Sequence, residues 1–143
     1  VAPLKDMRFV LQELAGLAAL PEERRATRFV EIWTLKEAFI KATGDGLARP
    51  LDSFGFAFGT GAALTFIAPA GLEPQTWAFW LFAPSAGQRL AVAIRAPHPP
   101  REVIAHRVQS LAHPPRGDEA CLDALAHNVP DQVSPHEART PSC

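Results

Sequence analysis

The chain has 143 residues and a formal net charge of −1, which suits a single domain with a modest core. Because it has neither a basic excess nor an apolar run of roughly 20 residues, we expect it to bind neither nucleic acid nor a membrane. Its two cysteines are too few to staple a secreted fold, and its N-terminus carries no secretory signal pattern. A reduced, cytoplasmic setting is therefore expected.

Two helices are predicted at the start of the chain. The first covers residues 7–20, where large apolar side chains recur at helical spacing. The second begins after Pro21, a residue favoured at helix starts, and carries two glutamates in its first turn. It is expected to run to about Thr43 and to end at Gly44, because glycine is common just past a helix C-terminus.

Short strands are predicted after the helices, where the apolar period changes from helical to alternating. The runs that carry this pattern are residues 54–58, 63–68, 76–82 and 90–95. Turns rich in glycine and proline separate them, as expected for antiparallel neighbours. Trp77 and Trp80 are three residues apart in one strand and should face opposite sides. The sequence predicts an α+β fold in which two helices precede a three- to four-stranded antiparallel sheet.

The composition changes near Pro97. Every aromatic residue lies at or before Phe82, whereas all five histidines and eight of the fourteen prolines lie from Pro97 onward. A segment without aromatic side chains and with frequent prolines buries too little apolar area to offset the entropy of ordering it. We predict a body over residues 1–96 and a largely disordered tail over residues 97–143, with one short helix near residues 101–111.

The second predicted helix carries charged groups on its apolar face. On a helical wheel that advances 100° per residue, Lys36 falls inside the apolar arc, and Glu37 and Lys41 lie at its edge. Burying an unpaired ammonium is costly, so the three residues form a candidate site. Two ordinary explanations stay open. Glu37 and Lys41 have the spacing of a stabilising surface pair, and Lys36 can lay its stem along the apolar face with its ammonium in water.

A longer pattern surrounds these charges, since residues 33–47 have the sequence WTLKEAFIKATGDGL. The segment resembles the W-[TS]-x-K-E-[AS]-x-x-K-x-x-G-x-G-L signature of the 4′-phosphopantetheinyl transferases, and it is closer to the larger, Sfp-type branch. Residues 17–25, 50–54 and 90–94 resemble the flanks of that signature. The resemblance covers about residues 8–96, and a long signature with fixed flanks is far more specific than a lone Lys-Glu pair.

The resemblance implies a reaction and a role for each charged residue. Members of this family transfer the 4′-phosphopantetheine arm of coenzyme A to a serine of an acyl or peptidyl carrier protein, and release adenosine 3′,5′-bisphosphate. By this resemblance Glu37 is expected to bind Mg²⁺ and, as a catalytic residue, to accept the serine proton. Lys36 and Lys41 are expected to hold phosphates of coenzyme A, and Lys41 is also expected to be catalytic. Lys36 would then face a cleft between two lobes, where phosphate balances its charge.

Family members also carry an upstream strand with an Asp-x-Glu motif that supplies further metal ligands. Asp6 is the one acid before residue 13, and no carboxylate stands two residues after it. We therefore expect the chain to be the C-terminal half of a two-lobed enzyme, whose Mg²⁺ site is completed by an N-terminal lobe or by a homo-oligomer partner. The alternative is a non-catalytic module that binds a carrier protein or a partner lobe.

Overall fold

A computed structural model describes residues 9–108 and 121–129 of the chain. Two helices open the fold, α1 (Leu11–Ala19) and α2 (Glu22–Thr43), and both predicted helices are confirmed. The predicted start of the first helix, at residues 7 and 8, lies outside the described residues. Within the described part of the chain, no helix is long and apolar enough to cross a membrane.

The end of α2 follows the glycine rule that predicted it. Gly44 has a left-handed backbone with a φ of 73°, a conformation that costs little for a residue without a Cβ atom. Its N–H donates to the carbonyl of Ile40 at 3.1 Å, which satisfies one of the carbonyl groups that a helix end leaves open. The chain then turns back toward the sheet that packs against α2.

The described residues contain seven strands, and each strand pair is antiparallel. They are β1 (Gly55–Phe58), β2 (Leu64–Ile67), β3 (Trp77–Ser85), β4 (Gln88–Arg95), β5 (Ala105–His106), β6 (Cys121–Leu122) and β7 (Ala124–His127). β1 pairs with β2, β3 lies between β4 and β7, and β5 pairs with β6. The first four strands overlap the four predicted runs, with ends that differ by at most three residues, and the predicted α+β class is confirmed.

An aromatic core lies between α2 and the strands. From α2, Leu35 and Phe39 are fully buried, and the ring of Phe39 has its centroid 4.5 Å from that of Phe54 and 4.8 Å from that of Trp77. The other buried members of this cluster are Phe56, Leu64, Phe66, Phe79, Leu81 and Ala126. Each aromatic side chain buries about 150–250 Å². This packing holds one face of α2 against the sheet.

The opposite face of β3 forms a second apolar cluster. Ala78, Trp80 and Phe82 are its buried members, so Trp77 and Trp80 lie on opposite sides of the strand as predicted. Small and medium apolar side chains pack against this second cluster. Those that follow residue 97 are Val103, Ala105, Leu122, Ala124 and Val129. The described residues that follow residue 97 therefore cover the face of the sheet that β3 and β4 form.

Residues after 97 also extend the sheet itself, because β7 pairs with β3. Asn128 continues this pairing with its side chain. Its Oδ1 accepts a hydrogen bond from the Phe79 N–H at 2.7 Å, and its Nδ2 donates to the Trp77 carbonyl at 3.0 Å. The side-chain amide thus satisfies backbone groups of β3 in the way that another strand residue would.

The helix predicted near residues 101–111 is wrong over residues 101–108, where the structure has β5 instead. The remainder of that predicted helix lies outside the described residues. The reason lies in tertiary packing. An extended segment can bury its small apolar side chains against the face of the sheet that carries the second apolar cluster. The domain boundary at residue 96 stays a prediction.

Candidate active site

Lys36 points inward from α2 and is fully buried. Its Nζ lies 2.7 Å from Oε1 of Glu13, and it donates to the carbonyls of Leu51 at 2.5 Å and of Phe54 at 2.7 Å. Three acceptors thus take the three protons of the ammonium. The explanation in which the Lys36 head reaches water is wrong, because no part of the side chain is exposed.

Glu13 is the partner that the sequence analysis missed. It lies on α1, is 2% exposed, and accepts backbone hydrogen bonds from Val10 at 3.1 Å and from Phe56 at 3.0 Å besides its ion pair with Lys36. A signal for it was present in the sequence, since Glu13 stands four residues before Leu17 on the apolar side of α1. The helical spacing of α1 therefore allowed the burial of Glu13 to be predicted from the sequence.

A glycine makes room for this ion pair. A Cβ atom at Gly55 would lie 2.5 Å from Cγ2 of Val10 and 2.9 Å from Cδ of Glu13, which is closer than real Cβ contacts come. The start of β1 therefore approaches the Glu13 carboxyl group at a distance that only glycine permits. The pair between Glu13 and Lys36 joins α1, α2 and the approach to β1 in one network.

The two buried charges depend on each other. Burial raises the pKa of Glu13, against the opposing effects of Lys36 and of the two backbone N–H donors. Burial likewise lowers the pKa of Lys36, against the attraction of Glu13 and, more weakly, of Asp52. In both cases loss of water disfavours the charged form, and the partner offsets that loss. Removing either partner leaves the other buried without an opposite charge, with only its backbone hydrogen bonds to compensate it.

Glu37 and Lys41 lie on the outer side of α2. Glu37 is half-buried and Lys41 is exposed in the last helical turn, where a cation also complements the helix dipole. Among the described residues, neither side chain forms an ion pair or a side-chain hydrogen bond, so the surface pair that their spacing allows is not formed. One carboxylate and one ammonium therefore stand a helical turn apart, about 6 Å along the axis.

This outer face suits an anionic substrate that carries a hard cation. A carboxylate oxygen is a ligand that Mg²⁺ prefers, and an ammonium attracts phosphate oxygens. The donor set fits Mg²⁺ in kind but supplies a single carboxylate. Among the described residues, no group of three or more His, Cys, Asp and Glu side chains is placed to hold a metal ion. In this arrangement Lys36 offers no free proton to a phosphate, since all three are donated within the chain.

A surface depression lies beyond the C-terminal end of α2, away from these residues. It has a volume of about 410 Å³, and its lining contains none of the three predicted site residues. The polar groups at its wall include Arg49 and Asp45, which pair with each other at 2.7 Å. Asp45, which lies between Gly44 and Gly46 after the end of α2, thus forms its ion pair with a neighbouring arginine.

The chain belongs to the 4′-phosphopantetheinyl transferase superfamily. The family model with that description matches residues 5–94, which include α2, its charged residues, β1–β3 and all but the last residue of β4. The predicted family is therefore confirmed, and with it membership in a family of transferases. No solved structure matches the chain.

Curated relatives agree with this assignment. The chain is 31% identical over 87 residues to a 4′-phosphopantetheinyl transferase of Bacillus subtilis, covering 61% of this chain and 37% of that protein. It is 36% identical over 87 residues to the 4′-phosphopantetheinyl transferase HetI of Nostoc sp., covering 60% and 34%. It is 41% identical over 46 residues to the 4′-phosphopantetheinyl transferase Sfp of Bacillus subtilis, covering 32% and 20%. The chain thus spans about a third of the length of the first two relatives.

Proposed function

We propose that the chain is the C-terminal lobe of an enzyme that transfers 4′-phosphopantetheine from coenzyme A to a serine of an acyl or peptidyl carrier protein. The observation that carries the proposal is the placement of Glu37 and Lys41, which stand without partners among the described residues on the outer face of the signature helix. An anionic pyrophosphate with a divalent cation is the class of ligand that this pair suits.

Each charged residue has a distinct part in this proposal. Glu37 is a ligand of Mg²⁺, and it accepts the serine proton directly or through water. Lys41 holds phosphate oxygens of coenzyme A and balances the charge that develops on them. Lys36 was expected to hold phosphates as well. In this proposal it has a structural role instead, because its ammonium binds three acceptors inside the chain, on the buried side of the helix that carries Glu37. Mg²⁺ held by Glu37 would neutralise part of the charge on the phosphate oxygens.

The transfer itself needs no covalent chemistry from the protein. The serine oxygen attacks the phosphorus atom that bears the pantetheine arm, the bond from that phosphorus to the bridging oxygen breaks, and adenosine 3′,5′-bisphosphate leaves. Catalysis of such a step rests on positioning and on charge neutralisation. An N-terminal lobe or a second copy of the chain supplies the remaining metal ligands, because Mg²⁺ requires several oxygen ligands in octahedral geometry. We propose a cytoplasmic setting for the reaction, as coenzyme A and carrier proteins imply.

The test is a mass measurement on a carrier protein. The chain is incubated with coenzyme A, Mg²⁺ and an apo carrier protein, both alone and with an N-terminal lobe taken from one of the relatives. We expect the carrier to gain the mass of phosphopantetheine in the reconstituted sample, and Glu37→Gln to abolish the gain without changing the melting temperature. Glu22→Gln, at the exposed start of the same helix, serves as the matched control. A folded, reconstituted wild type that yields no product would refute the proposal.

A second candidate is a non-catalytic module that binds a carrier protein or a partner lobe. Among the described residues Glu37 belongs to no group of three or more possible metal ligands, which favours this candidate, since one glutamate is a poor Mg²⁺ site by itself. Titration calorimetry separates the two candidates. Tight binding of the apo carrier protein, with no effect of Mg²⁺ or coenzyme A even after reconstitution, would support the module and exclude the transferase.

A further inference from the structure

We propose that Glu13 is a positioning residue for the transfer reaction, which acts through Lys36 to fix the rotation of α2 and so the direction of Glu37. This inference rests on the proposed function, because it concerns the same site. In the proposed reaction Glu13 contacts neither the substrates nor the metal ion. Its contacts are Lys36 and the backbone N–H groups of Val10 and Phe56.

The geometry around Lys36 resists rotation of the helix. Its ammonium is held from different elements, by Glu13 on α1 and by the carbonyls of Leu51 and Phe54 ahead of β1, at distances of 2.5 to 2.7 Å. Turning α2 about its axis would lengthen these hydrogen bonds together. An α-helix advances about 100° per residue as a stiff unit, so pinning Lys36 also sets the direction in which Glu37 leaves the helix.

Glu13 is held firmly enough to serve as the anchor. Besides Lys36, two backbone N–H groups bind its carboxylate: that of Val10 binds Oε1, the oxygen that also pairs with Lys36, at 3.1 Å, and that of Phe56 binds Oε2 at 3.0 Å. Gly55 packs so close that a single Cβ atom would collide with the carboxyl carbon at 2.9 Å. The anchor therefore has little freedom to follow Lys36 if α2 turns.

Stability alone does not require such a pair. Replacing a buried ion pair with apolar groups of similar volume is often neutral or stabilising, whereas an apolar contact does not specify one direction. A neutral pair at these positions should restore stability but not orientation. This difference separates a positioning role from a merely structural one.

The experiment compares the wild-type chain with Lys36→Met, Glu13→Gln and the double variant, each labelled with 5-fluorotryptophan. Trp33 lies one turn before Glu37 on α2 and reports the orientation of the helix, whereas Trp80 lies in the second cluster and reports the sheet. In the double variant we expect the melting temperature to recover relative to the single variants. The fluorine signal of Trp33 should stay displaced by more than its linewidth while that of Trp80 is unchanged.

The reconstituted enzyme gives the kinetic readout. We expect the double variant to lose about 100-fold in kcat with little change in KM for coenzyme A, because a small misplacement of a reacting group has an effect of that order. Asp45→Asn, which removes an exposed ion pair beyond the same helix, is the control and should leave both signals and kcat unchanged.

The outcomes distinguish this inference from the proposed function. A double variant with the wild-type Trp33 signal would overturn the positioning role, whether or not the enzyme is active. An active double variant with wild-type kcat would overturn it too. If Trp33 is displaced but the reconstituted wild type transfers nothing, the anchor stands as a structural fact about α2. In that case the proposed function fails, and with it the link of Glu13 to the reaction.

Discussion

Lys36 and Lys41 are lysines of the same helix with opposite surroundings. Lys36 is fully buried and donates all of its protons within the chain, whereas Lys41 is exposed and has no ion pair among the described residues. Both belong to one family signature, so the signature by itself does not separate a buried lysine from an exposed one. What separates them is the face of α2 on which each lies. The inner face packs within the fold, where Glu13 pairs with Lys36, and the outer face, with Lys41, is exposed to solvent.

The largest expected effect tests the inner face. Lys36→Met leaves the carboxylate of Glu13 buried beside an apolar side chain, and we expect the free energy of unfolding to fall by about 3–5 kcal/mol. Urea unfolding followed by tryptophan fluorescence measures this loss. A loss below about 1 kcal/mol would mean that the Glu13 carboxylate is hydrated or protonated in the variant at little cost in free energy. The buried Lys36 would then matter no more for stability than an exposed lysine such as Lys41.

The next effect tests the outer face. Lys41→Met should lower the rate of transfer by the reconstituted enzyme about 100-fold, equivalent to about 2.7 kcal/mol, because the phosphates lose a positive charge. Its melting temperature should fall by no more than a few degrees, since the side chain is exposed and loses only its interaction with the helix dipole. Arg24→Met, another exposed cation of α2, is the matched control. Equal activity of the Lys41 variant and this control would place the phosphate contact elsewhere.

A smaller effect concerns the space around the buried pair. Gly55→Ala introduces a Cβ atom 2.5 Å from Val10, so we expect a loss of about 1–3 kcal/mol from overpacking. Gly16→Ala on α1 is the control, because a Cβ atom there would meet nothing within 4 Å and alanine favours a helix by about 0.5–1 kcal/mol. Thermal unfolding of both variants measures the difference. If both gained stability, the packing of β1 on Glu13 would be looser than the structure has it.

The smallest effect comes from an exposed ion pair. Asp45 and Arg49 lie 2.7 Å apart with side chains 41% and 26% exposed, and water and salt screen them. Asp45→Asn should therefore change the free energy of unfolding by less than about 1 kcal/mol. Chemical unfolding at low and high salt checks this value. A loss as large as that of Lys36→Met would show that burial does not govern the worth of these ion pairs.

Much of the fold was predictable because its signals are local. Apolar spacing located both helices, and Gly44 marked the end of α2. Alternating apolar residues located β1–β4. The strands after residue 97 were not predicted, since their small side chains bury little area on their own and become stable against β3 and β4. Asn128 shows the same limit, because its two bonds to β3 join residues about 50 positions apart.

The sequence by itself determined the family, the two helices, and the presence of a lysine on the apolar face of α2. These features depend on periodicity and on a contiguous signature. Only the tertiary structure decided which acid meets that lysine, because Glu13 and Lys36 lie on different helices and meet only when both pack against β1. Burial also decided which groups each lysine contacts: Lys36 is enclosed by acceptors of the chain, and Lys41 is exposed to solvent. A lysine surrounded by three acceptors has no proton left to donate, whereas an exposed one a turn further along α2 can still bind an anion.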